Sequence, residues 1–205
     1  MIYRLCILKV YTMSSSATPY GARPIGTLSA SGSFNSKVRH YSIASGYAVN
    51  IFYGDFVKLA AAGVVQKDTG TTTLTPVGVF LGCTYTDPNT SQLTFAQMWT
   101  ASVVASDAYA YVIDDPTVLM EMQGDGSASL TNIGNNVAIA LTSGSTTIGT
   151  SKNAVDISTA AATTATLPLR IIDKSDRSDN AFGDAYTDLI VKFNAGHIMD
   201  NTTGI

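Results

Sequence analysis

Between Val77 and Tyr85 the chain alternates: Val77, Val79, Leu81, Cys83 and Tyr85 are interleaved with Gly78, Phe80, Gly82 and Thr84. A period of two places the first set on one face of a β-strand, which is expected to be core. The glycines on the other face leave the backbone uncovered, so that face either bends or lets another strand or chain come close. Upstream, Phe56-Val57-Lys58-Leu59 and Val64-Val65 flank an Ala-Ala-Ala-Gly turn. The stretch from Asn50 to Asp87 therefore reads as the β-rich centre around which the rest is arranged.

Further runs of the same kind follow. Asp87-Pro88-Asn89 is a turn, since Asp bonds its own backbone locally and Pro fixes a dihedral. Leu93 to Trp99 alternates with Leu93, Phe95 and Trp99 on one side. Ala108 to Ile113 and Val118 to Gln123 are separated by Asp114-Asp115-Pro116, and Gly124-Asp125-Gly126 closes the second as a hairpin. Val137 to Leu141, Leu167 to Ile172 and Leu189 to Asn194 complete the set, the last with Leu189, Val191 and Phe193 facing in. Ala154 to Thr166 mixes alanines and threonines and reads as irregular with one helical turn. The expected fold is all-β, a sandwich or barrel of about ten short, mostly antiparallel strands with long Gly/Ser/Thr-rich loops.

Composition agrees. Glu121 is the only glutamate, the other acids are aspartates, and Asp favours turns where Glu favours helices. The organisation is read as an N-terminal extension over 1–45, one β domain over 46–195 and a tail over 196–205. Pro19 and Pro24 make the extension non-helical, an arm lying along its own domain or docked on a neighbour. Met13 is a plausible start, which would make 1–12 non-native. Met1 to Tyr11 is no signal core, because Arg4 and Lys9 interrupt it.

Charge excludes some partners. The net charge is −3 and no Lys or Arg occurs between Lys67 and Lys152, so nucleic acid is not expected. No stretch approaches the length of a membrane span. Only 13% of residues are charged, against about 25% in an average soluble domain, which suits a protein held in an assembly.

The search for chemistry returns structural explanations. His40 and His197 lie in no catalytic motif and read as surface or strand-end histidines, and no Gly-x-Ser-x-Gly elbow exists. Cys6 and Cys83 show no metal or disulfide spacing, and Cys83 reads as a small buried hydrophobe made in a reducing compartment. Asp173, Asp176 and Asp179 are spaced by three and interleaved with Lys174 and Arg177, unlike a calcium loop. Asp114 and Asp115 with Glu121 resemble paired carboxylates, but Asp before Pro is turn chemistry. Gly124-Asp125-Gly126 is not a phosphate cradle, since no Lys follows. Tyr109, Tyr111 and Trp99 could form a sugar-stacking platform, although alternating aromatics are more often core. No catalytic residue, cofactor ligand or metal ligand is assigned.

Gly54-Asp55-Phe56-Val57-Lys58-Leu59, Gly63-Val64-Val65 and Pro76-Val77-Gly78-Val79-Phe80-Leu81-Gly82-Cys83 resemble the text of small virion head proteins of tailed bacteriophages, of the decoration or cement type. Asp114-Asp115-Pro116, Ile171-Ile172-Asp173 and Asp188 to Asn194 are similar in style. The resemblance implies a non-enzymatic virion structural protein, made in the host cytoplasm and placed on the capsid surface. It also implies a homo-oligomer, often a trimer, that binds major capsid subunits and stabilises the head. The alternative is a carbohydrate- or receptor-binding β-sandwich module of a fibre or cell-surface protein.

Overall fold

The computed structural model describes residues 16–28 and 36–200. Cys6, the choice between Met1 and Met13 as start, and the end of the tail lie outside the described residues. The described residues form twelve strands, one four-residue helix and one short 3₁₀ turn, in two six-stranded antiparallel sheets. The strands are β1 (Arg23–Thr27), β2 (Val38–Ser42), β3 (Phe56–Leu59), β4 (Val65–Lys67), β5 (Gly78–Thr86), β6 (Leu93–Ala96), β7 (Tyr109–Ile113), β8 (Val118–Gln123), β9 (Asn136–Ala140), β10 (Ala154–Asp156), β11 (Leu169–Lys174) and β12 (Asp188–Phe193). The helix α1 is Ile157–Ala160.

The first sheet has the order β1-β8-β12-β11-β9-β10. Met120, Met122, Leu169, Ile171, Leu189, Val191 and Phe193 of its central strands point into one core, where they meet Phe56, Val79 and Ile113 of the second sheet. Phe56 and Phe193 touch edge to face across the gap, with centroids 5.6 Å apart. This is the sandwich interface, built as the period-two reading of β12 requires.

The second sheet runs β2-β7-β5-β3-β4, with β6 also pairing β5. It curls, and Ile43 just beyond β2 forms a bridge with Val65 of β4. A second core lies within the curl: Val57, Val65, Val77, Phe80, Cys83, Tyr85, Ala110 and Val112 face Ile51 and Trp99 from the flanking loops. Trp99 is fully buried, donates Nε1–H to the Tyr47 carbonyl at 3.1 Å, and meets Tyr85 edge to face.

β5 explains how one strand serves two cores. Phe80 stands opposite Val112 but Gly82 opposite Tyr111, so Leu81 is an extra residue in a bulge. The bulge shifts the alternation by one. Val79 therefore joins the sandwich core, while Phe80, Cys83 and Tyr85 fill the curl. The expectation of a single apolar face from Val77 to Tyr85 is corrected in this way. Gly82 has φ +151°, and a Cβ there would sit 2.9 Å from the Ala96 carbonyl oxygen. Gly78 is no freer, because a Cβ there would fall on the Ile113 carbonyl. The glycines admit neighbouring strands of the same chain.

The extension is part of both sheets. Arg23–Thr27 pairs with β8 and Val38–Ser42 with β7. Before β1, Thr18 N–H donates to Gln123 Oε1 at 2.8 Å and Gln123 Nε2 to the Ser16 carbonyl, so this segment lies along its own domain. Two further expectations change. Gly124-Asp125-Gly126 is not a hairpin, since β8 pairs with β1 and β12; Asp125 instead accepts the N–H groups of Ile157 and Ser158 and caps α1. Ala154–Asp156 is a strand that the alanines and threonines concealed.

Candidate interaction face and buried polar nodes

Residues directly opposite on neighbouring strands share a face. On the second sheet Ser42, Tyr109, Thr84 and Phe95 form one such row across β2, β7, β5 and β6. His40, Tyr111 and Gly82 form the next, and Thr86 with Leu93 flank the first. This face is the continuation, beyond the cover of the first sheet, of the one that carries Val79 and Ile113 inward. It is open: Phe95 is 71% exposed, Leu93 62% and Tyr109 45%. His40 meets the Tyr111 ring edge to face at 4.6 Å. No Asp, Glu, Lys or Arg lies in these rows.

The aromatic platform foreseen in the sequence is thus half present. Tyr109 and Tyr111 are on the outside, whereas Trp99 is in the curl's core on the opposite side of the sheet. Leu93 and Phe95, expected to share a side with Trp99, instead join the tyrosines. The signal that sequence reading lacked was the pairing of β6 with β5, which no periodicity reveals.

The acids are distributed among structural tasks. Asp114 is buried and binds Arg39 Nε at 3.0 Å and the Tyr41 hydroxyl at 2.8 Å. Burial and that carboxylate push the Tyr41 phenol up to about 12. Asp115 accepts the N–H and hydroxyl of Thr117, a turn. Glu121 is not beside them. It stands on the outer face of the first sheet with Arg23, Ser175 and Arg177. Asp188, for which the sequence suggested no role, joins it there, bound by the Tyr20 hydroxyl at 3.1 Å and by Arg177 at 3.3 Å. Burial raises the Asp188 carboxyl above its ordinary value, Tyr20 and Arg177 oppose the rise, and Glu121 adds to it. Asp176 pairs with Lys174 at the end of β11, and Asp179 with Arg177 of its own loop. No group of three or more His, Cys, Asp or Glu among the described residues could hold a metal ion.

His197 corrects the expectation of a surface histidine. It is 1% exposed and stacks at a tilt on Phe193, and its Nδ1 accepts the Met199 N–H at 3.2 Å. Its Nε2 is buried without a partner, and burial lowers its pKa below the ordinary value. His40 is exposed, as read. Cys83 is buried, donates Sγ–H to the Met98 carbonyl, and burial pushes its thiol up to about 12.

The most completely bonded node is Asp55, from the Gly54-Asp55-Phe56-Val57 motif. It is fully buried, and four donors converge on it. Oδ2 takes Lys67 Nζ at 2.8 Å and the Phe52 N–H at 2.9 Å. Oδ1 takes Ser151 Oγ at 2.6 Å and Asn153 Nδ2 at 3.1 Å. The node ties β3 and β4 of the second sheet to the segment entering β10 of the first. Compared with protein-family models, curated proteins and solved structures, the chain finds no match.

Proposed function

We propose that the chain is a non-enzymatic structural protein of a tailed-phage virion, a decoration protein that docks as a homo-oligomer on the major capsid lattice and stabilises the head. The observation that carries the reading is the open face of Leu93, Phe95, Tyr109 and Tyr111, which brings exposed apolar and aromatic side chains together on paired strands with no charged residue in their rows. The residues behind the phage-head resemblance support it by building the scaffold under that face. Phe56, Val57 and Val77 to Cys83 line its two cores, and Asp55 pins them.

Size then argues for oligomers. Four strands about 4.8 Å apart and four residues of about 3.3 Å each make a face of roughly 250 Å². A stable one-to-one complex buries about 800 Å² per partner. A trimer presenting three such faces to a repeating lattice gains the missing affinity through effective concentration. The rows hold no charged residue, and Asp107, which accepts from the Thr86 hydroxyl, stands at their rim, so binding depends weakly on salt. The test is re-addition of purified protein to particles stripped of it, at low and moderate salt, with copy number by mass spectrometry and rupture temperature as readouts. Absence from particles, or failure to bind stripped ones, overturns the proposal.

A second reading rests on the same face. Tyr109, Tyr111 and Phe95 beside His40 and the pair of Thr86 and Asp107 offer rings with polar neighbours, the chemistry that stacks a neutral sugar. A face of this size fits an oligosaccharide. Saturation-transfer NMR with neutral oligosaccharides distinguishes it, because sugar protons saturated through Tyr109 and Phe95, and lost in Phe95→Ala, favour the binding module.

A further inference from the structure

We propose that Lys67 and Asn153 become joined by an intramolecular amide bond, with Asp55 as the catalytic acid and base. The inference is independent of the capsid reading. One carboxylate bridges the two groups: Oδ2 holds the amine of Lys67 at 2.8 Å, and Oδ1 holds the amide nitrogen of Asn153 at 3.1 Å. Asp55 and Asn153 are buried, and the Lys67 side chain nearly so. The remaining atom of the amide is also placed. Asn153 Oδ1 accepts the Thr142 N–H at 3.1 Å, a donor positioned to stabilise negative charge on that oxygen. The Lys67 ammonium lies 5.3 Å from the centre of the Phe52 ring, so its surroundings on that side are apolar.

The chemistry is an amine attack on a carboxamide, and it needs no outside reagent. Asp55 takes a proton from the Lys67 ammonium, which frees the nitrogen lone pair. Nζ attacks Cγ of Asn153, the Nζ–Cγ bond forms, and the carbonyl oxygen carries the negative charge facing the Thr142 N–H. A second proton leaves Nζ. Asp55 delivers both protons to Nδ2, the Cγ–Nδ2 bond breaks, and ammonium departs while Asp55 returns to a carboxylate. Nothing is oxidised or reduced. A cleft of about 380 Å³ lined by Asn50, Phe52, Lys67, Thr69 and Gly144 opens beside the lysine and gives the ammonium a way out. Holding the reactants on one carboxylate replaces a bimolecular encounter, and orientation of this kind supplies a large part of the rate.

The bond would fasten β4, at the rim of the second sheet, to the residue preceding β10, at the rim of the first. The two sheets could then no longer separate. Intact-mass spectrometry of the folded, full-length protein under denaturing conditions tests this. The expected result is a mass one ammonia below the sequence, a protease-derived pair of linked peptides containing Lys67 and Asn153, and the full sequence mass in Lys67→Arg. A folded wild-type protein with the full sequence mass overturns the proposal. So does an ammonia deficit that persists in Lys67→Arg, which would place the loss in a succinimide or a cyclised terminus.

Discussion

Replacing Gly82 by alanine should be far more costly than an alanine substitution usually is, and the structure says by how much. At φ +151° the backbone lies where an L residue is strained by about 1–3 kcal/mol. The added Cβ would also sit 2.9 Å from the Ala96 carbonyl oxygen. That oxygen belongs to backbone, beside the pairing of Cys83 with Ala96, so relief requires β5 and β6 to part. Overpacking of this sort costs about 1–3 kcal/mol more. The sum, about 2–6 kcal/mol, lowers the melting temperature by roughly 4–24 °C in a chain of this size. Gly134→Ala is the control. Its φ is +85° with nothing within 4 Å of the new Cβ, so only the backbone strain of about 1–2 kcal/mol applies. Both variants and the wild type are compared by calorimetry and by urea titration. If Gly82→Ala melts within a degree or two of Gly134→Ala, the close approach of β6 at the bulge is wrong.

Other outcomes follow from burial. Trp99→Ala should cost about 3–5 kcal/mol by urea titration, whereas Phe95→Ala on the open face should change stability by less than about 1 kcal/mol; equal costs would contradict the assignment of faces. His197 is held neutral, its folded pKa being below the unfolded value. The unfolded chain thus binds the extra proton first, and stability falls as pH drops through about 6.5 toward the lower folded value. His197→Phe should flatten that part of the profile in urea midpoints between pH 7.5 and 5, and an unchanged slope would reject it. In a Cys6→Ser background, Cys83 should resist a thiol reagent until denaturant is added, since its thiol is buried and its pKa is pushed up to about 12. Fast labelling of the native protein would be inconsistent with that placement.

The strands with one buried face were readable from the sequence. β12 and β8 alternate without interruption, and period two fixes which residues enter the sandwich core. β5 was not readable in full, because a bulge at Leu81 changes which parity is buried, and nothing local distinguishes it from a regular strand. For β6 the shared side of Leu93, Phe95 and Trp99 failed for a different reason: the strand ends at Ala96, so its period does not carry on to Trp99, which turns into the curl while Leu93 and Phe95 stay exposed. Asp55 sat in a visible motif, yet its partners Lys67, Ser151 and Asn153 are distant in the chain and are united only by the meeting of the two sheets. Asp188 was hidden similarly, because its burial depends on Tyr20 lying across the first sheet.

The bridge between Ile43 and Val65 bears on behaviour in crowded solution. An open sheet offers rows of unpaired amides and carbonyls on which a second molecule can grow, and such growth has no natural end. By drawing β2 and β4 together, the curled sheet shortens the rows it leaves available. The other sheet ends in β1, where Pro24 lacks an amide hydrogen and the register slips before Gly26, and in β10, only three residues long. Neither makes a good template. A chain this poor in charge cannot rely on mutual repulsion to stay dispersed, so its resistance to fibre formation rests on the shape of its rims.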